Sequence, residues 1–586
     1  MPGFACIASQ GGVGDVFSWP ITALSPLRIS HKTGPGYAVC QYVTAKFERD
    51  KVFAEDDDVL VVIDGAILNF RDLRRRLDAP DYFQTVKQLY RTNGDEFFRD
   101  FRGEFSGLLY DKSADKWLVF TNHTGMKPVF YHRLKDGFAC ATDLLVLNRL
   151  LRATGWRPSL DVEAAYMLLT YGYMLEDYTL LTDVRKLQPG HYFRWSHGSF
   201  AVQPYHVLHN NVWHEETRQN FIERFDQLFR EAVIAEYEKD REYGYQHLAH
   251  ISGGLDCRLN VFVAHELGYD QMLNVTFSQS DYLDEKISKR MATDLGHDFL
   301  FYALDSGRCL TTTIEDVVRI NGGLVLYSGA AHELSCYRVL NFGPYGGIHS
   351  GQVGGHPLTG IWLAAPQLQK PPLHVGITSM YLVDRIRPLI ERLQDGYDSK
   401  EIFMIKNRGF NATANGNWVG NQFTEMFSPF LHTDLLDYVL TVPPRLKYKS
   451  MLYEEWIVRK HPRAAGYPST RTGLKIGGHA ALAFVRRAFL SARRRCLGEW
   501  RTASMNPFEY WYRTQPRLRA YMSEYVENHL GLLNDQPELQ SDCREMFNAR
   551  PVGEKTLVMT LLEAVRQHFC HADSAQQPPA PPAEGN

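Results

Sequence analysis

Ser252-Gly253-Gly254-Leu255-Asp256 is where residue type and spacing point most directly to chemistry in this chain of 586 residues. A hydroxyl, two glycines and a carboxylate stand between an apolar run, residues 247–251, and Cys257-Arg258-Leu259-Asn260-Val261-Phe262, which reads as the first turns of a helix. A strand that passes through a glycine turn into a helix is an anion site. The first N–H groups of the helix have no intrahelical acceptor, its dipole favours negative charge, and glycine lets the backbone approach a ligand closely. No Gly-Lys-Ser/Thr follows, which separates the stretch from the common phosphate loop. Leu283-Asp284-Glu285 adds two carboxylates ahead of a second helical pattern. They read equally as site acids or as ordinary N-terminal helix charge.

Such a loop needs α/β units to hold it. A helix over 215–238, with Phe221, Phe225, Leu228 and Ala232 on one face, leads into it. A strand over 273–277, a helix over 284–295 and a strand over 299–302 follow. Residues 1 to about 205 read as β-rich. There a strand over 59–63 ends in a turn at Asp64-Gly65, a short helix opens at 69–73, and residues 104–110 and 117–120 form a hairpin around 111–115.

The length predicts several domains, and a net charge of −3 offers no general attraction to nucleic acid or membrane. No apolar run is long enough to span a bilayer, and no basic region precedes the apolar residues near the N-terminus, so no signal peptide is expected. Nine scattered cysteines without a CxxC argue for a reducing cytoplasm, against disulfides and against a zinc site. His479 to Trp500 reads as a basic helix with a solvated face, and the Pro/Ala-rich residues 572–586 as a disordered tail.

Ser252 to Asp256 resembles the pyrophosphate loop of the ATP pyrophosphatases, and phrases along the chain resemble the glutamine-hydrolysing asparagine synthetases. Asp64-Gly65-Ala66-Ile67-Leu68-Asn69, Phe101-Arg102-Gly103-Glu104-Phe105, Gly125-Met126-Lys127-Pro128-Val129-Phe130-Tyr131 and Lys186-Leu187-Gln188-Pro189-Gly190-His191 follow the order of that family's glutaminase domain. Gly347 to Gly360 stands at its second glycine loop, Thr424-Glu425-Met426-Phe427-Ser428-Pro429-Phe430 at its Val-Glu-Ala-Arg-Val-Pro-Phe phrase, and Arg471-Thr472-Gly473-Leu474-Lys475 at its Arg-Pro-Lys-x-Gly phrase.

The resemblance implies an α/β protein. Residues 1–208 would form an αββα sandwich like that of the N-terminal-nucleophile hydrolases, and residues 215–570 a parallel-sheet ATP pyrophosphatase domain. It implies ATP and Mg2+ as cofactors. Ser252, Gly253, Gly254, Leu255, Asp256 and Cys257 would hold pyrophosphate, Thr276 and Phe277 adenine, and Gly351 the second loop. Asp256 would bind magnesium with Glu285, Glu425 would take a proton from the attacking nitrogen, and Lys475 would stabilise charge on the phosphates.

Several positions depart from the family pattern. Pro2 stands where the family keeps its cysteine nucleophile, and a proline side chain cannot attack glutamine. Asp64 replaces an asparagine of the oxyanion hole. Cys6 reads as a buried strand cysteine. Gly355, followed by His356, replaces a magnesium-binding aspartate, with His356 or His349 as alternative ligands. Gln352 stands where the β-lactam enzymes keep a tyrosine, and Gly473 takes the lysine position. The N-terminal domain is therefore expected to be a scaffold without glutaminase activity, as in the β-lactam synthetases and lasso-peptide cyclases. The expected activity is adenylation of a small-molecule or peptide carboxylate and transfer of its acyl group to an amine or to ammonia, which a pathway partner could supply. An ammonia-dependent asparagine synthase and a non-catalytic binding or assembly relative are the alternatives.

Overall fold

The computed structural model describes residues 2–13, 16–17, 19–354, 357, 359–363, 365–470, 473–476 and 501–570. Its strands run β1 Gly3–Ser9, β2 Arg28–Gly34, β3 Tyr37–Val43, β4 Phe53–Glu55, β5 Val59–Ile67, β6 Gly103–Asp111, β7 Lys116–Thr121, β8 Phe130–Leu134, β9 Gly137–Ala141, β10 Arg185–Lys186, β11 His191–Ser196, β12 Ser199–Pro204, β13 Gln246–His250, β14 Met272–Ser278, β15 Asp298–Ala303, β16 Tyr345–His349 and β17 Met426–Phe427. The first twelve form two antiparallel sheets, ordered β10-β8-β9-β1-β3-β2 and β12-β11-β7-β6-β5-β4. The last five form a parallel sheet ordered β15-β14-β13-β16-β17.

Alternation along β1 shows how the antiparallel pair is built. Phe4, Cys6 and Ala8 enter the core between the sheets, beside Val62, Leu108, Val119 and Phe193. Ala5 and Ile7 face the other way, onto helices α3 (Leu144–Ala153) and α4 (Val162–Tyr171). Helices α1 (Phe70–Arg76) and α2 (Tyr82–Asn93) cover the outer face of the second sheet through Phe70, Leu73 and Val86. This is the expected αββα sandwich. The parallel sheet is covered on both faces, which is why Leu248-Ala249 and Val275 read as apolar runs rather than alternating strands. On one face lie helices α5 (Arg218–Glu242) and α6 (Asp256–Glu266), with α7 (Leu283–Leu295) against them.

One expectation is corrected. The strand does not end at Asp64-Gly65 but runs through to Ile67, with Gly65 opposite Phe105. Gly65 has φ 118°, and a Cβ there would meet the Glu104 carbonyl and come 2.9 Å from the Phe105 Cα. The glycine serves a close approach of two strands, not a turn. Helix α5 is shifted toward its C-terminus relative to expectation and is capped by Thr217, whose Oγ1 accepts the Asn220 N–H at 3.2 Å. The basic stretch His479 to Trp500 lies outside the described residues, and so does the tail from residue 571. Among the described residues no helix is long and apolar enough to cross a membrane.

Candidate active site

β13 ends at His250 and α6 begins at Asp256, so Ser252 to Leu255 lies at the carboxyl edge of the parallel sheet. Ligands of open α/β sheets bind at that edge. The loop is held from three sides. Gly253 N–H donates to Asp284 Oδ1 at 2.8 Å, from the first turn of α7. Gly254 N–H donates to Ser252 Oγ at 3.2 Å. Thr470 N–H donates to the Gly253 carbonyl at 3.2 Å, and the Thr470 methyl fills the space that a Cβ on Gly253 would need. The fully buried Arg258 guanidinium donates to the same Gly253 carbonyl at 2.8 Å. It also reaches the carbonyls of Ala464, Tyr467 and Pro468 at 3.1, 3.1 and 2.7 Å. Burial lowers its pKa to about 10. Cys257 sits in the same turn, where burial and then the neighbouring Asp256 push its thiol up to about 12, so it stays protonated.

The second glycine loop packs directly on this turn. A Cβ on Gly351 would overlap the Cys257 N–H and lie 2.5 Å from the Asp256 carbonyl carbon. One on Gly354 would lie 2.8 Å from the Asp256 Cβ. Asn260 Nδ2 donates to the Ser350 carbonyl at 2.9 Å, and Ser350 N–H donates to the Phe427 carbonyl at 2.9 Å. Between the glycines, buried Val353 is held at φ 62°. That left-handed conformation is strained for a β-branched residue and is the kind of strain that functional loops store.

Asp256 is half-buried in the first turn of α6, and its Oδ1 accepts the Tyr453 hydroxyl at 2.6 Å. Its hard oxygen donors suit Mg2+, which takes one or two carboxylates and completes its shell with water and phosphate oxygens. Glu285 faces elsewhere: its Oε2 accepts the Asp281 N–H at 2.8 Å. Its neighbour Asp284 is the carboxylate that reaches the loop. Among the described residues the three-residue cluster with metal-ligand spacing is Asp240, His247 and His349, buried under the sheet rather than at the loop. Gly355 and His356 lie outside the described residues, as do Arg471 and Thr472.

Thr276 and Phe277 end β14 beside the loop. Thr276 Oγ1 donates to the Ile251 carbonyl at 2.5 Å, and the half-buried Phe277 ring lies 5.4 Å from His250 and 5.2 Å from His332. Lys475 is exposed, on a segment tied to the loop through Thr470. Glu425 is 2% exposed and stands just before β17, at that strand's amino end. Its Oε1 is 3.0 Å from Lys51 Nζ and its Oε2 2.7 Å from Lys127 Nζ, both on the antiparallel sandwich. The structure thus brings Ser252 to Cys257, Thr276, Phe277 and Gly351 together, and places Glu425 on the wall between the two halves.

Residues 49–206 match the family model described as a glutamine amidotransferase domain. The chain is 23% identical over 253 residues to asparagine synthetase [glutamine-hydrolyzing] 1 of Bacillus subtilis (strain 168), covering 41% of this chain and 38% of that protein. It is 26% identical over 265 residues to asparagine synthetase [glutamine-hydrolyzing] 2 of the same organism, covering 41% and 34%. A putative asparagine synthetase [glutamine-hydrolyzing] 2 of Methanocaldococcus jannaschii is 21% identical over 229 residues, covering 37% and 44%. Over about two fifths of its length the chain is distantly similar to the asparagine synthetases. The matches span well under half the length of these curated relatives.

The region that matches the amidotransferase domain carries a salt-bridged carboxylate at position 64. Burial opposes ionisation of Asp64, but Lys127, with Nζ at 3.0 Å, and Lys51 together outweigh it, helped by the Gly65 N–H, and hold the carboxyl below the ordinary aspartate value. Cys6 is fully buried in β1 opposite Cys140, and burial followed by that neighbour raises its thiol well above the ordinary range. Sequence reasoning missed Arg258, Tyr453 and Thr470. For Arg258 a signal was present: a cation in the first turn of a helix opposes the dipole, and needs a reason to be there.

Proposed function

We propose that the chain is an ATP-dependent carbon–nitrogen ligase without a glutaminase step of its own. A substrate carboxylate oxygen attacks the α-phosphorus of ATP, the bond to pyrophosphate breaks, and pyrophosphate leaves. A nitrogen lone pair then attacks the acyl carbon, the carbon–oxygen bond breaks, and AMP leaves with the electron pair. The observation that carries this reading is the docking of two glycine loops on the first turn of α6, so tight that neither Gly351 nor Gly354 has room for a side chain. In the binding role, Ser252 and the backbone N–H groups of that turn receive the phosphates. Asp256 would hold Mg2+, which supplies charge neutralisation on the phosphates. Pro2, and Asp64 bound to Lys127, support the absence of glutamine hydrolysis.

The test is release of AMP and pyrophosphate from ATP and magnesium with a panel of carboxylates, aspartate included. Carboxylate-dependent AMP formation, reduced on the order of 100-fold or more in Asp256→Ala, supports the ligase. AMP formation unchanged in that variant would remove Asp256 from the reaction. A non-catalytic relative is the second reading, favoured by Asp284 occupying the Gly253 N–H that a phosphate would use. Calorimetry with ATP separates the two, because absence of ATP binding supports the second.

A further inference from the structure

Glu333 lies in the helix Ala331–Tyr337, which stands between β15 and β16 in the chain. The side chain is half-buried, yet its Oε2 is enclosed and has no hydrogen-bond partner. Among the described residues no ion pair is recorded for it either. Opposite stands Gln352, projecting from the second glycine loop, and its Oε1 is likewise enclosed and unpartnered. The two meet over Gly416, within the helix Thr413–Gly420. A Cβ on Gly416 would lie 2.6 Å from Glu333 Oε2 and would overlap Gln352 Nε2. Glycine inside a helix costs about 1 kcal/mol relative to alanine, so the position needs a reason. The reason visible here is room for these two side chains.

The end of the amide nearest Glu333 is Nε2, and a half-turn of the amide brings its unpartnered Oε1 there instead. With Oε1 turned in, the carboxylate and the amide oxygen leave a place for a group that has several donors and a positive charge. Gln352 is two residues from Ser350 and one from strained Val353, in the loop that packs on Asp256. We propose that Glu333 binds the nitrogen nucleophile of the ligase as its ammonium form and takes its first proton. The proposal rests on the ligase reading and adds to it the class of the second substrate, an ammonium or primary amine. Two protons leave the nitrogen during amide formation. Glu333 takes one before attack, and the departing phosphate takes the other. Burial raises the Glu333 carboxyl to about 8, so the empty site holds a neutral acid at pH 7 and a proton-accepting carboxylate above about pH 8, and a bound ammonium favours the carboxylate. The titratable groups beside it on its own helix stay neutral there: burial lowers His332 to about 4, and burial, then Glu333 itself, raises Cys336 to about 12. Gln352 and Gly416, on the facing elements, do not titrate.

Saturation-transfer NMR on the full chain tests this at about pH 9, where a carboxyl titrating near 8 is ionised. Methylammonium chloride is the probe, read at its methyl protons, ammonium chloride is added as its competitor, and potassium chloride keeps the ionic strength constant. The expected result is transfer to methylammonium in the wild type, displaced by ammonium where ammonia is the better ligand, and reduced about tenfold or more in both Glu333→Gln and Gly416→Ala, the loss of one charge-assisted hydrogen bond. A methylammonium preference assigns the amine to a substrate, and an ammonium preference assigns it to ammonia. No transfer in the wild type, or equal transfer in both variants, overturns the proposal. Pyrophosphate release with carboxylates alone needs no amine, so failure of the ligase reading is scored separately.

Discussion

A carboxyl group that ionises less readily in the folded chain than in the unfolded chain opposes folding as the pH rises. Glu333 is such a group, raised by burial from 4.5 to about 8. Above pH 4.5 the unfolded chain releases this proton while the folded chain keeps it, so the cost grows up to about pH 8 and then levels off. At pH 7 it is about 3 kcal/mol. Glu333→Gln removes that cost. The variant is expected to unfold at higher urea than the wild type at pH 7, with the gain shrinking toward pH 4.5. Urea midpoints across pH 4.5 to 8 measure it. A carboxyl retained for packing alone gives the opposite sign, since its loss would destabilise at every pH. Stability gained together with amine binding lost is the signature of a site residue kept against the interest of the fold.

At the scale of elements, the candidate site depends on the approach of a loop to a helix end. Gly351→Ala places a methyl group against the Cys257 N–H and must push the loop off α6 or tilt the turn. Such a clash costs about 1–3 kcal/mol where the surroundings can shift. The expected outcome is a folded protein with ATP affinity weakened about tenfold or more, read by calorimetry, since phosphate contacts at this turn depend on position. Unchanged affinity would place the nucleotide elsewhere. The loop itself was legible in the sequence because its determinants are local: a strand, two glycines and a helix start. Other features were not. Asp284 and Glu285 are neighbours in sequence, but one residue turns a helix by about 100°. Only the packing of α7 decides that Asp284 meets Gly253 while Glu285 turns to Asp281. Gly65 read as a turn by local rules, and its reason is a strand forty residues away. Glu333 carries no motif at all, and its meaning comes from Gln352 and Gly416, brought to it by the fold.

The whole molecule is joined by charges buried between its two halves. Asp64, Lys127, Glu425 and Lys51 form one cluster, two charges of each sign, with each side chain no more than 2% exposed. Asp50 and Lys239 form another, with Nζ 3.0 Å from Oδ2 and both side chains fully buried. Asp50 and Lys51 are adjacent in sequence, so one turn of the sandwich feeds both clusters, while Lys239 and Glu425 come from the parallel-sheet half. Around them Trp418 Nε1 donates to the Met126 carbonyl at 3.1 Å, and Lys46 Nζ donates to the carbonyls of Phe342, Gly343 and Tyr345. Removing one member of a buried pair leaves an uncompensated charge and costs about 3–5 kcal/mol. Lys127→Met leaves both Asp64 and Glu425 short of a partner. Because those carboxylates belong to different halves, the cost falls on the whole molecule and not on one domain. Scanning calorimetry is expected to show the wild type unfolding in one transition, and Lys127→Met in one transition at lower temperature. Two transitions, with only one of them moved by the substitution, would show that the halves are energetically independent and that the interface is a contact between finished domains. A single shifted transition also bears on Glu425. A carboxylate on which both halves depend for stability has two fixed ammonium partners, and that leaves proton transfer at the active site to a residue such as Glu333.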